Sequence, residues 1–187
     1  MRIFISGGCK NGKSYYAQRL AMAQKSGSGL YYVATMRPVD SEDEARIKRH
    51  REERHGWGFS TVEQPVDIGG ILQKCDAGGS FLLDSLTALL FNEMVRAETS
   101  GFRYVAETTL SGLKQVLDNI GDIVIVSDYI YSDAMTFDPS TEEYRQTLAE
   151  IDCFTAKNCD AVLEIAYSNL FVHKGQAAFG GLYEKLF

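Results

Sequence analysis

Arg2-Ile-Phe-Ile-Ser-Gly-Gly-Cys-Lys-Asn-Gly-Lys-Ser14 joins a short apolar run to a glycine-rich octet, and helical character follows from Lys13 to about Lys25. A strand that ends in glycines and reopens as a helix can gather main-chain N–H groups around one concavity. Gly7-x-x-x-x-Gly12-Lys13-Ser14 fits the P-loop pattern in the right context. The glycines let the backbone turn tightly, Lys13 adds a point charge toward β- and γ-phosphates, the helix N-terminus adds its dipole, and Ser14 offers a hydroxyl to Mg²⁺. All of Gly7, Gly8, Cys9, Lys10, Asn11, Gly12, Lys13 and Ser14 are therefore candidate nucleotide-binding residues. Cys9 reads as a tolerated small residue, not a nucleophile.

Outward from this loop, short apolar runs alternate with helical segments. Strands are expected at Leu30–Thr35, Ser60–Glu63, Ser80–Asp84, Ile123–Ser127 and Ala161–Ala166. Helices are expected at Ser41–Arg54, Asp67–Cys75, Leu86–Glu98, Phe102–Asn119 and Thr141–Lys157, the first with a Ser41/Glu44 capping box. Strands this apolar, separated by helices, imply a mostly parallel sheet covered on both faces. The expected fold is α/β, a P-loop NTPase of RecA-like type. No repeat, low-complexity tract or linker divides residues 1–187, so a single nucleotide-binding domain is expected.

Composition narrows the function. The 187 residues carry a formal charge of -6, which argues against nucleic acid or anionic lipid as a partner. No apolar run approaches the roughly 20 residues of a membrane span, and no signal-peptide pattern stands at the N-terminus. The four cysteines, Cys9, Cys75, Cys153 and Cys159, form no C-x-x-C pair and no disulfide-like spacing. A reduced, cytoplasmic protein is the expectation.

A P-loop needs an acid at the tip of a neighbouring strand to hold Mg²⁺ or its waters. Asp84 is the first candidate and Asp128 the second; each could equally be a strand-end turn residue or helix cap. On a helix, Ile47, His50, Arg51 and Arg54 share one face and set an imidazole between two guanidiniums. That surface suits phosphate, and a neutral imidazole is a competent nucleophile toward phosphorus. From spacing alone, a solvated, salt-bridged face is the more ordinary reading. His55 and His173 read as surface residues.

Taken together, Gly7 to Ser14, Tyr32-Val-Ala-Thr35, Ala45-Arg-Ile-x-x-His50, Thr61-x-Glu63 and Leu82-Leu83-Asp84-x-x-Thr87 occur in an order that resembles the adenosylcobinamide kinase/adenosylcobinamide-phosphate guanylyltransferase family of cobalamin biosynthesis. The resemblance covers about the first 90 residues. It implies phosphorylation of a corrinoid, adenosylcobinamide, by a nucleoside triphosphate (GTP or ATP), then transfer of GMP from GTP through a GMP–histidine intermediate. It makes His50 the nucleophile, Gly7 to Ser14 the nucleotide phosphate site, and places Ala34, Thr35, Arg51, Arg54, Glu63 and Asp84 around the guanine nucleotide. It also implies a homotrimer. The chain departs from the family pattern at Asp84, where Glu is usual. It departs again at Ser127-Asp-Tyr-Ile-Tyr-Ser-Asp133, where Thr-Asn-Glu-Val-Gly is common, and in a longer tail, Val172 to Gly181. These departures fall on the kinase half more than on guanylyl transfer. A P-loop kinase for another small metabolite, or a RecA-like nucleotide-binding ATPase or regulatory subunit, are the competing readings.

Overall fold

Every apolar run singled out above forms a strand of one sheet. A computed structural model describes residues 1–25, 27, 29–97, 101–131 and 133–184, with main chain alone at Arg46, His50 and Glu53. Strands β1 (Arg2–Gly7), β2 (Leu30–Ala34), β3 (Ser60–Glu63), β4 (Ser80–Asp84), β5 (Asp122–Asp128), β6 (Ala161–Ala166) and β7 (Asn169–Lys174) stand in the order β3-β2-β4-β5-β1-β6-β7. All neighbours are parallel except the β6–β7 hairpin. The expected P-loop α/β sheet is present.

Alternation along the strands feeds two apolar layers. Phe4, Phe81, Leu83, Ile123 and Ile125 point to one face, against α3 (Ile71–Lys74), α4 (Leu86–Ala97), α5 (Phe102–Asn119) and α6 (Pro139–Asn158). Ile3, Ile5, Leu82, Val124 and Leu163 point to the other, against α1 (Lys13–Gln24) and α7 (Gln176–Tyr183). Burial on both faces explains why these strands read as continuous apolar runs. The remaining helix, α2 (Ser41–Glu53), has no buried side chain among those described.

Register assembles the site. Gly7 lies opposite Asp128 on one side and Ile165 on the other, while Ala34 lies between Asp84 and Glu63. The carboxyl ends of the six parallel strands thus meet at one edge of the sheet, where ligands of open α/β sheets bind.

Four expectations about elements change. The α2 cap is Asp40, not Ser41: its carboxylate accepts from the Asp43 N–H at 2.9 Å, and the Asp43 carboxylate accepts from the Val39 N–H. Helix α6 begins at Pro139, because Asp138 caps the Ser140 and Thr141 N–H groups and proline suits the first turn. Asp67–Cys75 is a 3₁₀ turn, Ile68–Gly70, followed by the single turn of α3. The tail is ordered as β7 and α7, which the sequence reading did not separate. Glu98, the expected end of α4, and Ser132 in the divergent loop lie outside the described residues.

Candidate active site

The octet between β1 and α1 folds back on itself around the Lys13 ammonium. Lys13 is 6% exposed, and its Nζ donates to Gly7 O (3.0 Å), Gly8 O (2.6 Å) and Asp128 Oδ1 (2.5 Å). Gly12, with φ of 92°, turns the chain into α1 in a conformation that a side chain would strain. At Gly7 a Cβ would collide with the Ile165 carbonyl and the Asn11 side chain, which itself donates to Ile165 O. The octet is therefore a tight backbone cradle locked to β6, and Cys9, Lys10, Asn11, Gly12, Lys13 and Ser14 line an adjoining cleft of about 1300 Å³. Gly7 and Gly8 lie behind it and hold Lys13.

Two carboxylates stand beside the cradle on neighbouring strand ends. Asp84 Oδ2 accepts from Tyr32 OH at 2.9 Å and lies 3.5 Å from Ser14 Oγ. Asp128 lies on Lys13 instead, with its N–H held by Thr87 Oγ1 at 2.9 Å. The two acids left open by the sequence thus separate: Asp84 faces the Ser14 hydroxyl, Asp128 the ammonium. Ser14 and Asp84 present hard oxygen donors of the kind Mg²⁺ takes alongside substrate phosphates. Among the described residues no cluster of three or more His, Cys, Asp or Glu could hold a metal unaided.

Helix α2 also lines this cleft. Ile47, Arg51 and Arg54, from the face proposed on spacing, all line the same cleft as the glycine loop. The main chain of His50 belongs to α2, while its side chain lies outside the described residues. Arg51 donates to Glu63 Oε1 at 2.9 Å at the end of β3, both groups being well exposed. Arg54, just past the helix, is only 7% exposed: its guanidinium lies 3.4 Å over the Tyr32 ring, and its Nη1 is buried without a hydrogen-bond partner among the described residues. Ala34 and Glu63 line the cleft as well.

Thr35 does not. It is fully buried, and its hydroxyl donates to Ser85 O (2.8 Å) and accepts from Ser85 N (2.7 Å), so it braces the turn after Asp84 from behind. Asn92 of α4 donates to Thr35 O at 2.7 Å and completes the brace.

Tyr32 is the residue that sequence reasoning missed. Burial first, and the Asp84 carboxylate second, push its phenol well above the ordinary tyrosine range, so it stays a hydrogen-bond donor to Asp84. It ties Arg54 at the foot of α2 to the acid beside Ser14. Alternation in β2 predicts only that one of Tyr31 and Tyr32 faces each layer, and nothing local marks the partners. Asp152 of α6 is the other. It is 2% exposed, accepts from Tyr131 OH at 2.9 Å, and its Oδ1 has no partner among the described residues. Burial, opposed by hydrogen bonds from Ser127 and Tyr131, pushes its carboxyl up to about 7.

Residues 3–168 match the family described as cobinamide kinase / cobinamide phosphate guanyltransferase. The bifunctional adenosylcobalamin biosynthesis protein CobP of Pseudomonas aeruginosa is 33% identical over 129 residues, covering 68% of this chain and 71% of that protein. Among solved structures, the flagellar accessory protein FlaH of Methanocaldococcus jannaschii has a TM-score of 0.46 and 13% identity, over 92% of this chain and 77% of that one, a likeness too loose to carry an argument. A glycine cradle, two strand-end acids and an arginine-bearing helix share one cleft, and the family match runs through all of them: this chain belongs to the cobinamide kinase / cobinamide phosphate guanyltransferase family of enzymes.

Proposed function

We propose that the chain is a bifunctional adenosylcobinamide kinase and adenosylcobinamide-phosphate guanylyltransferase that works through a GMP–histidine intermediate. An imidazole nitrogen of His50 attacks the α-phosphorus of GTP; the bond to the β-phosphate oxygen breaks, and pyrophosphate leaves. A phosphate oxygen of adenosylcobinamide phosphate then attacks the same phosphorus and releases His50. The glycine loop holds the leaving pyrophosphate, and Arg51 and Arg54 offset charge on the transferring group. Mg²⁺ held through Ser14 and Asp84 would neutralise part of the triphosphate charge. In the kinase half, GTP or ATP phosphorylates the alcohol of adenosylcobinamide on the same loop.

The observation that carries this reading is that α2 and the Gly7–Ser14 loop line one cleft, with Ile47, Arg51 and Arg54 on its wall. His50 falls between Ile47 and Arg54 at helical spacing in the sequence. Kinship further suggests a homotrimer acting in the cytoplasm. Among the described residues, no helix is long and apolar enough to cross a membrane.

Intact-mass measurement after incubation with GTP and Mg²⁺ tests the reading. The expected result is a GMP-sized adduct that is acid-labile, as a phosphoramidate is, and absent from His50→Ala. Bound nucleotide with no adduct would leave a P-loop kinase in which His50 only contacts phosphate.

A further inference from the structure

Tyr32 touches both the acid beside Ser14 and the residue just past α2, and register puts it there. Tyr32 of β2 lies opposite Leu82 of β4, and Asp84 follows two residues on, so its side chain points to the same face of the sheet. A diagonal of that kind is within reach of an aromatic side chain. The Tyr32 OH spans it and donates to Asp84 Oδ2 at 2.9 Å. The Ser14 hydroxyl, 3.5 Å from the same oxygen, is too far for a firm hydrogen bond. The ring has little freedom of its own. It is 6% exposed, the Arg54 guanidinium lies 3.4 Å over it, and the Phe59 ring meets it edge-on with centroids 6.3 Å apart. Phenylalanine would fill this space equally well. The hydroxyl, which is costly to bury unless paired, is the part that needs a purpose.

Resting on the functional reading above, in which Ser14 and Asp84 hold Mg²⁺, we propose that Tyr32 is the positioning residue of that acid. Its hydroxyl fixes the Asp84 side chain so that the carboxylate is presented to the metal beside Ser14. An aspartate at a strand end has two side-chain torsions to settle, and the bond from the neighbouring strand settles them before nucleotide and metal arrive. Carboxylates that ligate metals are ordinarily oriented by outer hydrogen bonds of this kind. Tyr32 itself need not touch nucleotide or metal; it acts through Asp84. Because Arg54 stacks on the same ring, one side chain sets both the acid and the arginine at the foot of α2.

Calorimetric binding of a GTP analogue with a methylene bridge between the α- and β-phosphorus, which cannot pass GMP to the protein, decides the matter. Tyr32→Phe removes one oxygen and leaves the ring for Arg54 and Phe59. Its affinity for the analogue should fall about 10-fold with millimolar Mg²⁺ present, and stay within about threefold of the parent in chelator. Asp84→Asn, which takes away the anionic ligand, should lose at least as much in Mg²⁺. The double variant should lose no more than Asp84→Asn alone, because the two side chains act as one unit. A Tyr32→Phe loss that is the same with and without Mg²⁺ overturns the assignment, since the hydroxyl would then serve the nucleotide or the fold directly. Parental affinity under both conditions overturns it too, as do losses that add in the double variant. A parent whose affinity does not respond to Mg²⁺, or an Asp84→Asn protein that binds as the parent does, overturns the metal role of Asp84 in the functional reading and this assignment with it. The GMP adduct remains a separate test of His50.

Discussion

The glycine loop and α2 line one cleft, yet different forces hold them. The loop is anchored from within: a buried ammonium bridges two of its carbonyls to a strand-end acid, and Asn11 ties it to β6. Helix α2 buries no described side chain and is held at its ends, by the Asp40 cap at the start and the Arg54–Tyr32 stack just past the finish. A cradle must keep its N–H groups aimed at phosphate whatever the substrate, so rigidity serves it. On the proposed mechanism α2 carries the nucleophile, and it must then approach the α-phosphorus and withdraw from it. Few buried apolar contacts make a segment low in local stability, and such segments are the ones that move.

Breaking the rigid side should have the largest effect. Lys13→Ala removes a charged donor from the phosphate site, and nucleotide affinity should fall about 10- to 100-fold, read by calorimetry, with the GMP adduct lost at limiting GTP. An adduct formed at the parental rate would mean that the cradle does not hold the triphosphate.

The next effect lies behind the cradle and depends on pH. Asp152 titrates near 7 in the folded chain, far above an unfolded aspartate, because burial disfavours its charge. Between these two values the folded state holds a proton that the unfolded state has lost. This contribution to stability is therefore complete below about pH 4 and is lost as pH rises through about 7. Asp152→Asn, which cannot ionise, should gain on the parent as pH rises from 5 to 8, by on the order of 2–4 kcal/mol in denaturant unfolding. A difference independent of pH would show that Asp152 is ionised in the folded protein throughout.

On the α2 side, the smallest change in stability should come from Arg51→Ala. The Arg51–Glu63 pair is exposed on both partners, 56% and 72%, so its loss should shift unfolding by less than about 1 kcal/mol. On the proposed mechanism the rate of GMP-adduct formation should nevertheless drop, because there the charge serves the phosphate and not the fold. A large loss of stability with an unchanged rate would invert the contrast between the two walls.

Much of this molecule was legible before its structure. A continuous apolar run located β4, and one rich in β-branched residues located β5 within a residue, since a strand buried on both faces has almost no choice but to be apolar. The loop was legible because glycine, lysine and serine at fixed offsets answer a local geometric demand. End points were less so: Asp40 and Asp138 cap where Ser41 and Thr141 were expected to begin helices, because competing caps one to three residues apart differ by fractions of a kcal/mol. Thr35 carried the right address and the wrong orientation, for it braces Ser85 from behind the cleft.

By itself the sequence determined which elements form and which residue types can grip a triphosphate, since hydrophobic period and loop chemistry act over a few residues. Only the tertiary structure decided which of two acids meets Ser14 and which meets Lys13, and that Tyr32 joins Arg54 to Asp84. Those pairings follow from strand order and register, which bring residues as far as 115 positions apart within hydrogen-bond reach, and no local pattern encodes a distance of that kind.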